Sequence, residues 1–297
     1  LSLHDAFPIY NIEYAAINFY GTNNCSVTNS YFYNILKYGI KIDDNSSNIT
    51  IYNNYFDNPK VFGGYKDALI GGHVYCLSGN SITVANNTIK NSGGQGILFG
   101  YSSTSGKGTT SCIARNNICI GNGQEGITIY GGSKIVTSGN FLIGNISKNN
   151  RYNQIEVWQS NNNIVKNNTV EESLKGSGNM GAICLFAANK TTCTGNKVLS
   201  AQNNGIDITA GSLNCTITDN NIANTNSKNN INAPEKGNAI LLDWNGLADP
   251  KYITINNNTI SSSNAIIAKS GVYSTSNSNH HNKIDTNIIT EIGRAHV

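Results

Sequence analysis

A six-residue pattern recurs ten times along the chain and constrains its fold more than any other feature. The pattern is an apolar residue, two mostly polar residues, an asparagine, any residue and a second apolar residue. The ten copies are Val27–Phe32, Ile51–Phe56, Val84–Ile89, Ala114–Cys119, Thr137–Leu142, Val165–Val170, Cys193–Val198, Ile217–Ile222, Ile255–Ile260 and Ile284–Ile289. Their fourth positions, which we call anchors, are Ser30, Asn54, Asn87, Asn117, Asn140, Asn168, Asn196, Asn220, Asn258 and Asn287. Anchors lie 23 to 38 residues apart, so the repeat is about 23 residues long and carries insertions.

A second pattern follows the anchors: Gly or Ala, then Ile, any residue and an apolar residue. Its copies are Gly39–Ile42, Gly96–Phe99, Gly126–Ile129, Ala182–Leu185, Gly205–Ile208 and Ala239–Leu242, with Gln154–Val157 as a variant. The alternation predicts short strands. One repeat cannot bury its apolar face alone, so the repeats must stack, with each strand pairing to its equivalents about 4.8 Å above and below. The sequence therefore predicts an all-β, parallel β-solenoid.

The asparagine column explains why one residue type is so frequent. The chain has 51 Asn, and only 12% of its residues are charged, which argues against a helix-rich protein. Asparagine tolerates the left-handed conformation that a strand-to-strand corner requires. Stacked amides can also donate and accept hydrogen bonds along the axis, so we expect an Asn ladder. Compositional drift toward Asn would explain the abundance, but not the fixed position.

These two patterns resemble those of the right-handed parallel β-helix, or pectin-lyase-like, superfamily over residues 15 to 290. The resemblance implies about ten right-handed coils in one single-stranded β-helix. It leaves the function open, because the same coil serves pectate and alginate lyases, polygalacturonases, epimerases, phage tailspikes and surface adhesins.

The two ends of the chain depart from the pattern. Residues 1–9 and 291–297 resemble translated sequencing adapters, and we exclude them from the fold argument. We expect residues 10–290 to be the β-helix domain, present as a fragment. A missing signal peptide is then uninformative.

Charge and cysteine content exclude several classes of function. The net charge is +3 with dispersed Lys and Arg, so no basic stripe indicates nucleic acid as a partner. No apolar run reaches the ~20 residues of a transmembrane segment. The seven Cys form no disulfide framework; Cys25, Cys112 and Cys215 fall in one predicted core column with Ile135 and other isoleucines. No motif indicates a metal site, and none supports the Ca²⁺ that a lyase could use.

Insertions predict where function lies. They span residues 57–66, 100–111, 144–153, 171–181, 224–238, 243–251 and 273–281, and all flank the second-pattern strand. Loops on both sides of that strand would wall a groove along the axis. On its outer face, alternation places Tyr130, Trp158 and Phe186 on three successive rungs. This row is either a platform for sugar rings or a ladder that stabilises the sheet.

Acidic residues accompany this row and are the candidate catalytic groups. Glu156 and Asp207 point outward two rungs apart, about 9.6 Å. Glu125 precedes the Gly of its copy, and Asp67 does so if Ala68 and Leu69 are the match in their coil. Polygalacturonases carry catalytic acids at this position, although their paired-aspartate, Gly-His-Gly and Arg-x-Lys motifs are absent here. The separation of about 9.6 Å between Glu156 and Asp207 lies at the upper edge of the ~6.5–9.5 Å between the two carboxyl groups of inverting glycosidases.

A lyase would need a base beside a cation that neutralises the substrate carboxylate. Arg151, Tyr152, His73 and Lys66 lie in loops beside the predicted groove, and Arg151 and His73 are candidate substrate contacts. The leading interpretation is an extracellular or cell-surface protein that binds, and as a lyase or glycoside hydrolase cleaves, a polysaccharide. The alternatives are a non-catalytic adhesin or spacer, and a tailspike-like glycan-binding protein, which would require a trimer.

Overall fold

The computed structural model describes residues 2–3, 8–58, 71–172, 181–225, 237–243, 247–261, 272–274 and 281–290. Within this part of the chain, strands form three long sheets and no helix occurs. No helix long and apolar enough to span a membrane is found among these residues.

Each coil passes in turn through the three sheets, which we number in chain order. Sheet 1 has ten strands: Ala15–Tyr20, Tyr38–Asp43, Val74–Cys76, Ile97–Phe99, Ile127–Tyr130, Ile155–Trp158, Ile183–Phe186, Ile206–Thr209, Ile240–Asp243 and Val272–Ser274. Sheet 2 has fourteen: Ser2–Leu3, Asn23–Thr28, Ser46–Tyr52, Gly79–Asn80, Thr83–Ala85, Tyr101–Ser102, Lys107–Thr110, Ile113–Arg115, Phe141–Ile143, Ile164–Lys166, Thr192–Thr194, Thr216–Thr218, Thr254–Asn256 and Lys283–Asp285. Sheet 3 has eleven: Pro8–Tyr10, Tyr31–Tyr33, Tyr55–Asp57, Thr88–Lys90, Ile118–Ile120, Ile146–Lys148, Thr169–Glu171, Lys197–Ser200, Asn221–Ala223, Thr259–Ser261 and Ile288–Thr290.

Strands pair with their equivalents in the coils above and below. In sheet 1, for example, Ile127 pairs with Ile155, which pairs with Ile183. All described pairings are parallel except one hairpin, in which Tyr101–Ser102 runs antiparallel to Lys107–Thr110. This confirms the predicted parallel β-helix.

Inward side chains from the three sheets fill one continuous core. Ile, Val, Phe and Cys dominate it, and Phe32 stacks on Phe56 with ring centroids 4.4 Å apart. At about 25 cal/mol per Å² of buried apolar surface, this core is the main stabilising contribution.

The Asn ladder lies at the corner between sheets 2 and 3. Asn168 shows the unit: its Oδ1 accepts hydrogen bonds from the backbone N–H and the Nδ2 of Asn145. Its Nδ2 donates to the backbone oxygen of Leu142 and to Oδ1 of Asn196. The amide is fully buried, and each polar atom has a partner.

One predicted anchor is wrong. The ladder runs from Asn117 to Asn145 and not to Asn140. The copy around Asn145 escaped detection because Ser147, a small polar residue, occupies its inward apolar position in sheet 3. Asn140 belongs to a second corner, between sheets 1 and 2, where it accepts from the N–H of Cys112. There it takes the column position that the sequence analysis gave to Ile135.

The left-handed corner residue is the one before the anchor. Asn53, Asn86, Asn116 and Asn167 all have φ near 55°, and Gly195 occupies the same position with φ 65°. The anchors themselves have ordinary φ values. The repeated Asn pair therefore divides two tasks, with the first residue making the turn and the second bonding the coils together.

The connections on either side of sheet 1 vary most in length, as predicted. Residues 100–111 form the antiparallel hairpin beside it. Residues 144–153 are not an insertion, because they contain the sheet 3 strand Ile146–Lys148. Residues 59–66 and most of the other predicted insertions lie outside the described residues.

Candidate functional site

The outer face of sheet 1 carries two axial columns of side chains. The first contains Lys41, Tyr75, Leu98, Thr128, Glu156, Cys184, Asp207 and Leu241. The second contains Tyr130, Trp158, Phe186, Thr209 and Asp243. Alternation along each strand brings both columns to the same face, so they lie side by side along the axis.

Glu156 and Asp207 stand two rungs apart in the first column, separated by Cys184. This register gives a spacing of about 9.6 Å between their strands. Both side chains are nearly enclosed, with exposed fractions of 6% for Glu156 and 3% for Asp207. The predicted pair is therefore on one face.

Glu156 has a neighbour of the same charge. Burial raises the pKa of Glu156 well above its ordinary range, and the Glu125 carboxylate raises it further. The amide of Asn153 donates to Glu156 Oε1 at 2.9 Å, which opposes the rise. Two carboxylates that interact in this way favour a state in which one of them keeps a proton.

Glu125 is less enclosed than Glu156. It lies at the corner before the strand Ile127–Tyr130, level with Asn153 of the next coil, whose backbone oxygen accepts from the Gly126 N–H. Burial raises the pKa of Glu125, while hydrogen bonds from its own backbone and from the Gln95 side chain lower it. Glu125 is thus the member of the pair better suited to carry the negative charge.

The Asp207 carboxyl has a raised pKa. Burial raises its pKa to about 8, although hydrogen bonds from the Gly181 backbone and the Asn204 side chain lower it. A Cβ at Gly181 would lie 3.1 Å from Asp207 Cγ, so a larger residue there would displace the Asp207 side chain by a few tenths of an ångström. Asp207 Oδ1 has no hydrogen-bond partner among the described residues, and neither has the buried Thr128 Oγ1 beside Glu156.

Four aromatic rings form a continuous row beside the acids. Ring centroids are 6.0 Å apart for Tyr101 and Tyr130, 5.8 Å for Tyr130 and Trp158, and 3.6 Å for Trp158 and Phe186. The planes are within 15° of parallel. The Trp158 faces are therefore directed at its neighbours, and a ligand in the groove meets ring edges and the Tyr130 hydroxyl. This geometry favours the ladder interpretation over a stacking platform.

The right-handed β-helix region family matches residues 7–147 and 135–289. The chain belongs to this family. No curated protein sequence matches it.

Solved structures agree on the fold at low sequence identity. The mannuronan C-5 epimerase AlgE4 A-module of Azotobacter vinelandii aligns with a TM-score of 0.69 and 13% identity, covering 96% of this chain and 76% of that one. The enzymatically active domain of bacteriophage CBA120 tailspike protein 2 aligns with a TM-score of 0.62 and 12% identity, covering 96% of this chain and 42% of that one. The catalytic domain of a GH87 α-1,3-glucanase, in complex with tetrasaccharides, aligns with a TM-score of 0.54 and 13% identity, covering 92% of this chain and 49% of that one. The chain thus spans less than half of the last two proteins.

His73 does not belong on the outer face of this β-helix. The coil that the sequence analysis matched at residues 67–69 has its strand at Val74–Cys76, where His73 takes the small-residue position. Its ring is buried against Phe56, and its Nε2 lies 2.9 Å from the Lys90 oxygen. Burial lowers its pKa to about 4. We therefore withdraw His73 as a substrate contact.

The matching of Asp67 to that column is also wrong, because Gly72 stands there, level with Gln95. Asp67 itself lies outside the described residues. Arg151 is at the corner of the Glu156 coil, with its guanidinium 5.6 Å from the centre of the Tyr152 ring. Arg151 stays a predicted substrate contact.

Sequence reasoning missed two tyrosines on this face. Tyr75 was lost with the misplaced coil, although the alternation of Val74, Tyr75 and Cys76 was visible. Tyr101 lies in a predicted insertion, and nothing in its sequence pattern indicated that the hairpin brings its ring against Tyr130 of sheet 1. Cys184 was placed correctly in the outward column, but it is buried with Phe186 and Ala210 in a small apolar cluster.

Proposed function

We propose that this protein is an extracellular enzyme that binds and hydrolyses a polysaccharide on the outer face of sheet 1. The observation that carries the proposal is the acid pair Glu125 and Glu156, in different environments, beside Asp207 with its raised pKa. Pairs of carboxyl groups whose surroundings separate their pKa values are typical of acid and base assignments in glycosidases. The polysaccharide-acting neighbours support the same class of substrate.

In this mechanism the more enclosed Glu156 is the general acid. It gives its proton to the glycosidic oxygen as the bond from that oxygen to the anomeric carbon breaks. Glu125 acts as the base: its carboxylate takes a proton from the water that attacks the anomeric carbon. The reaction consumes one water and returns both carboxyl groups to their starting states after proton exchange with solvent.

Asp207 has a positioning part in the proposal. A carboxylic acid that is neutral at pH 7 can donate a hydrogen bond to a sugar hydroxyl, which a carboxylate cannot. Asp207 is two rungs from Glu156. Since one sugar unit is roughly as long as the spacing between rungs, a glycan parallel to the axis would place its second sugar from Glu156 beside Asp207.

Two side chains near the acids are unsuitable as bases for β-elimination, whereas Arg151 and Tyr152 stay candidates for that role. His73 is inside the coil, and burial raises the pKa of Tyr75 to about 12, so its phenol stays protonated. The wild-type protein should release reducing ends from at least one polysaccharide in a panel of neutral, pectic, alginate and capsular polymers, without absorbance from unsaturated sugars.

The same panel decides between the alternatives. Unsaturated products would replace hydrolysis by a lyase reaction. Retardation in polysaccharide-containing gels without any cleavage would support a non-catalytic adhesin or a tailspike-like binding protein. The anomeric configuration of the first product, read by NMR, distinguishes direct attack by water from attack through Glu125.

A further inference from the structure

A pocket of about 360 Å³ opens on sheet 1 and extends from Tyr130, on the coil that also carries Glu125, toward the first coils. Tyrosine rings and aliphatic side chains form its walls, and hydroxyl groups line its rim. Its lining includes Lys41, Asp43, Tyr75, Leu98, Tyr101 and Tyr130. A volume of this size lies at the lower end of the range for small-molecule sites.

The hairpin at residues 101–110 shapes one wall of the pocket. Tyr101 continues the aromatic row beyond Tyr130, and a Cβ at Gly132 would lie 3.0 Å from the Tyr101 ring. A residue larger than glycine at position 132 would therefore press on this ring. Ser102, Ser103 and Thr104 extend the wall with polar groups. The wall thus combines an aromatic surface with donors and acceptors.

An ion pair makes the pocket neutral. Lys41 Nζ lies 3.3 Å from Asp43 Oδ2, and Asp43 Oδ1 accepts from the Asp44 N–H and the Ser78 hydroxyl. Because the lysine charge is already balanced, an anionic sugar would gain little from it. Apolar side chains beside fixed donors and acceptors suit an uncharged ring that has a C–H face and hydroxyl edges.

The register connects this pocket to the acid pair. Tyr75, Leu98, Thr128 and Glu156 occupy successive rungs of the first column. The centre of the pocket, near Tyr75 and Leu98, is therefore two to three rungs from Glu156, about 10–14 Å. A glycan lying along the axis would place a unit here while another unit is at the acids.

We propose that this pocket is a distal subsite that binds an uncharged pyranose unit two to three sugars from the bond that is cleaved. The subsite rests on the proposed function, because it requires a glycan that crosses the acid pair. It adds a specificity site whose side chains are not the catalytic acids themselves. Its signature is a dependence of affinity on chain length.

Tyr101→Ala tests the subsite, with Tyr101→Phe to retain the ring and Tyr252→Ala as the control. Tyr252 is an exposed tyrosine stacked on His281 in the last coils, far from the pocket. The probes are gluco-, galacto- and manno-oligosaccharides and oligouronates of two to eight units, with affinities measured by calorimetry. Urea unfolding checks that each variant is folded.

Tyr101→Ala should weaken binding of neutral oligosaccharides of six or more units about tenfold and leave disaccharides and trisaccharides unchanged. Tyr101→Phe should retain most of the affinity, and Tyr252→Ala all of it. An equal loss at every length, no loss at any length, or a length effect confined to oligouronates overturns the subsite. If the wild-type protein binds none of the probes, both the proposed function and the subsite are wrong. If it binds them and Tyr101→Ala leaves the affinity unchanged, only the subsite is wrong.

Discussion

Two buried polar columns run along the same β-helix, and they differ in whether their polar atoms have partners. In the Asn ladder, the Asn168 amide accepts two hydrogen bonds and donates two. In the column that contains Glu156 and Asp207, burial and the nearby Glu125 carboxylate raise the pKa of Glu156, and Asp207 Oδ1 has no partner among the described residues. Both columns are enclosed, but only the first stabilises the fold.

The difference shows how such a repeat separates folding from chemistry. Burying a polar group costs free energy unless hydrogen bonds replace water, and the ladder meets this condition at each of its Asn residues from Asn54 to Asn258, with Asn145 in place of Asn140. Burying uncompensated acids costs stability, and groups of this kind cluster at functional sites. We therefore expect substitutions in the two columns to have opposite effects on stability and on activity.

The largest expected effect is on turnover. Glu156→Gln removes the proton donor and should lower kcat about 10²–10⁴-fold, while oligosaccharide affinity stays within a few fold. Glu125→Gln should do the same by removing the base. Both are measured by initial rates and calorimetry on the polysaccharide that the wild-type protein cleaves.

Glu171→Gln is the matched control, because Glu171 lies on sheet 3 and should leave kcat unchanged. The wild-type pH profile should be bell-shaped. Its rate falls at low pH as Glu125 gains a proton and at high pH as Glu156 loses one. Full activity of Glu156→Gln would remove Glu156 from the mechanism.

The next largest effect is on stability. Asn168→Leu deletes two donated hydrogen bonds and leaves the Asn145 donors without an acceptor, so the free energy of unfolding should fall by about 3 kcal/mol. Turnover at temperatures where the variant is folded should be little changed, since Asn168 is at a corner away from sheet 1. Urea denaturation gives the first quantity and initial rates the second.

The neighbouring residue provides a smaller effect and a control. Asn167 is exposed with φ 55°, a conformation that glycine adopts freely. Asn167→Gly should therefore change the free energy of unfolding by no more than about 0.5 kcal/mol. Equal losses for Asn167→Gly and Asn168→Leu would contradict the division between turn and ladder.

The fold was predictable because every repeat carries the same sequence pattern and therefore predicts the same coil. Any one copy is weak, but ten stacked copies with an Asn at one position leave few alternatives to a parallel solenoid. The errors occur where a coil has an atypical residue at a position that defines one of the two patterns. Ser147 replaced an inward aliphatic and hid Asn145, while His73 replaced the Gly or Ala before a strand and hid Tyr75.

The candidate site was predictable only in its outward positions. Strand alternation placed Glu156, Asp207 and Trp158 on one face without any structure. It could not predict how enclosed Asp207 is, because that depends on contacts between coils, such as the close packing of Asp207 against Gly181. Strand alternation could not predict the orientation of the Trp158 ring either, and this orientation determines whether its faces are open to a sugar.

The central claim is that the hydrogen bonds to Asp207 do not compensate for its burial, and the pH dependence of stability tests it most directly. Its folded pKa of about 8 is above the ordinary unfolded value of about 3.9, so the folded state binds more protons between these pH values. Stability is then full below the unfolded pKa and is lost as pH rises through the folded pKa. Asp207→Asn removes this titration, and exposed Asp219→Asn is the control.

The measurement is the free energy of unfolding in urea of the wild type and both variants, from pH 4 to pH 9. The gain in stability of Asp207→Asn over the wild type should grow by on the order of 1.4 kcal/mol per pH unit up to about pH 8 and then level off. The pH-dependent gain of Asp207→Asn is compared with Asp219→Asn, which removes a carboxyl group from an exposed corner instead. A constant difference for Asp207→Asn would show an ordinary, well-partnered carboxylate and contradict the contrast between the two columns.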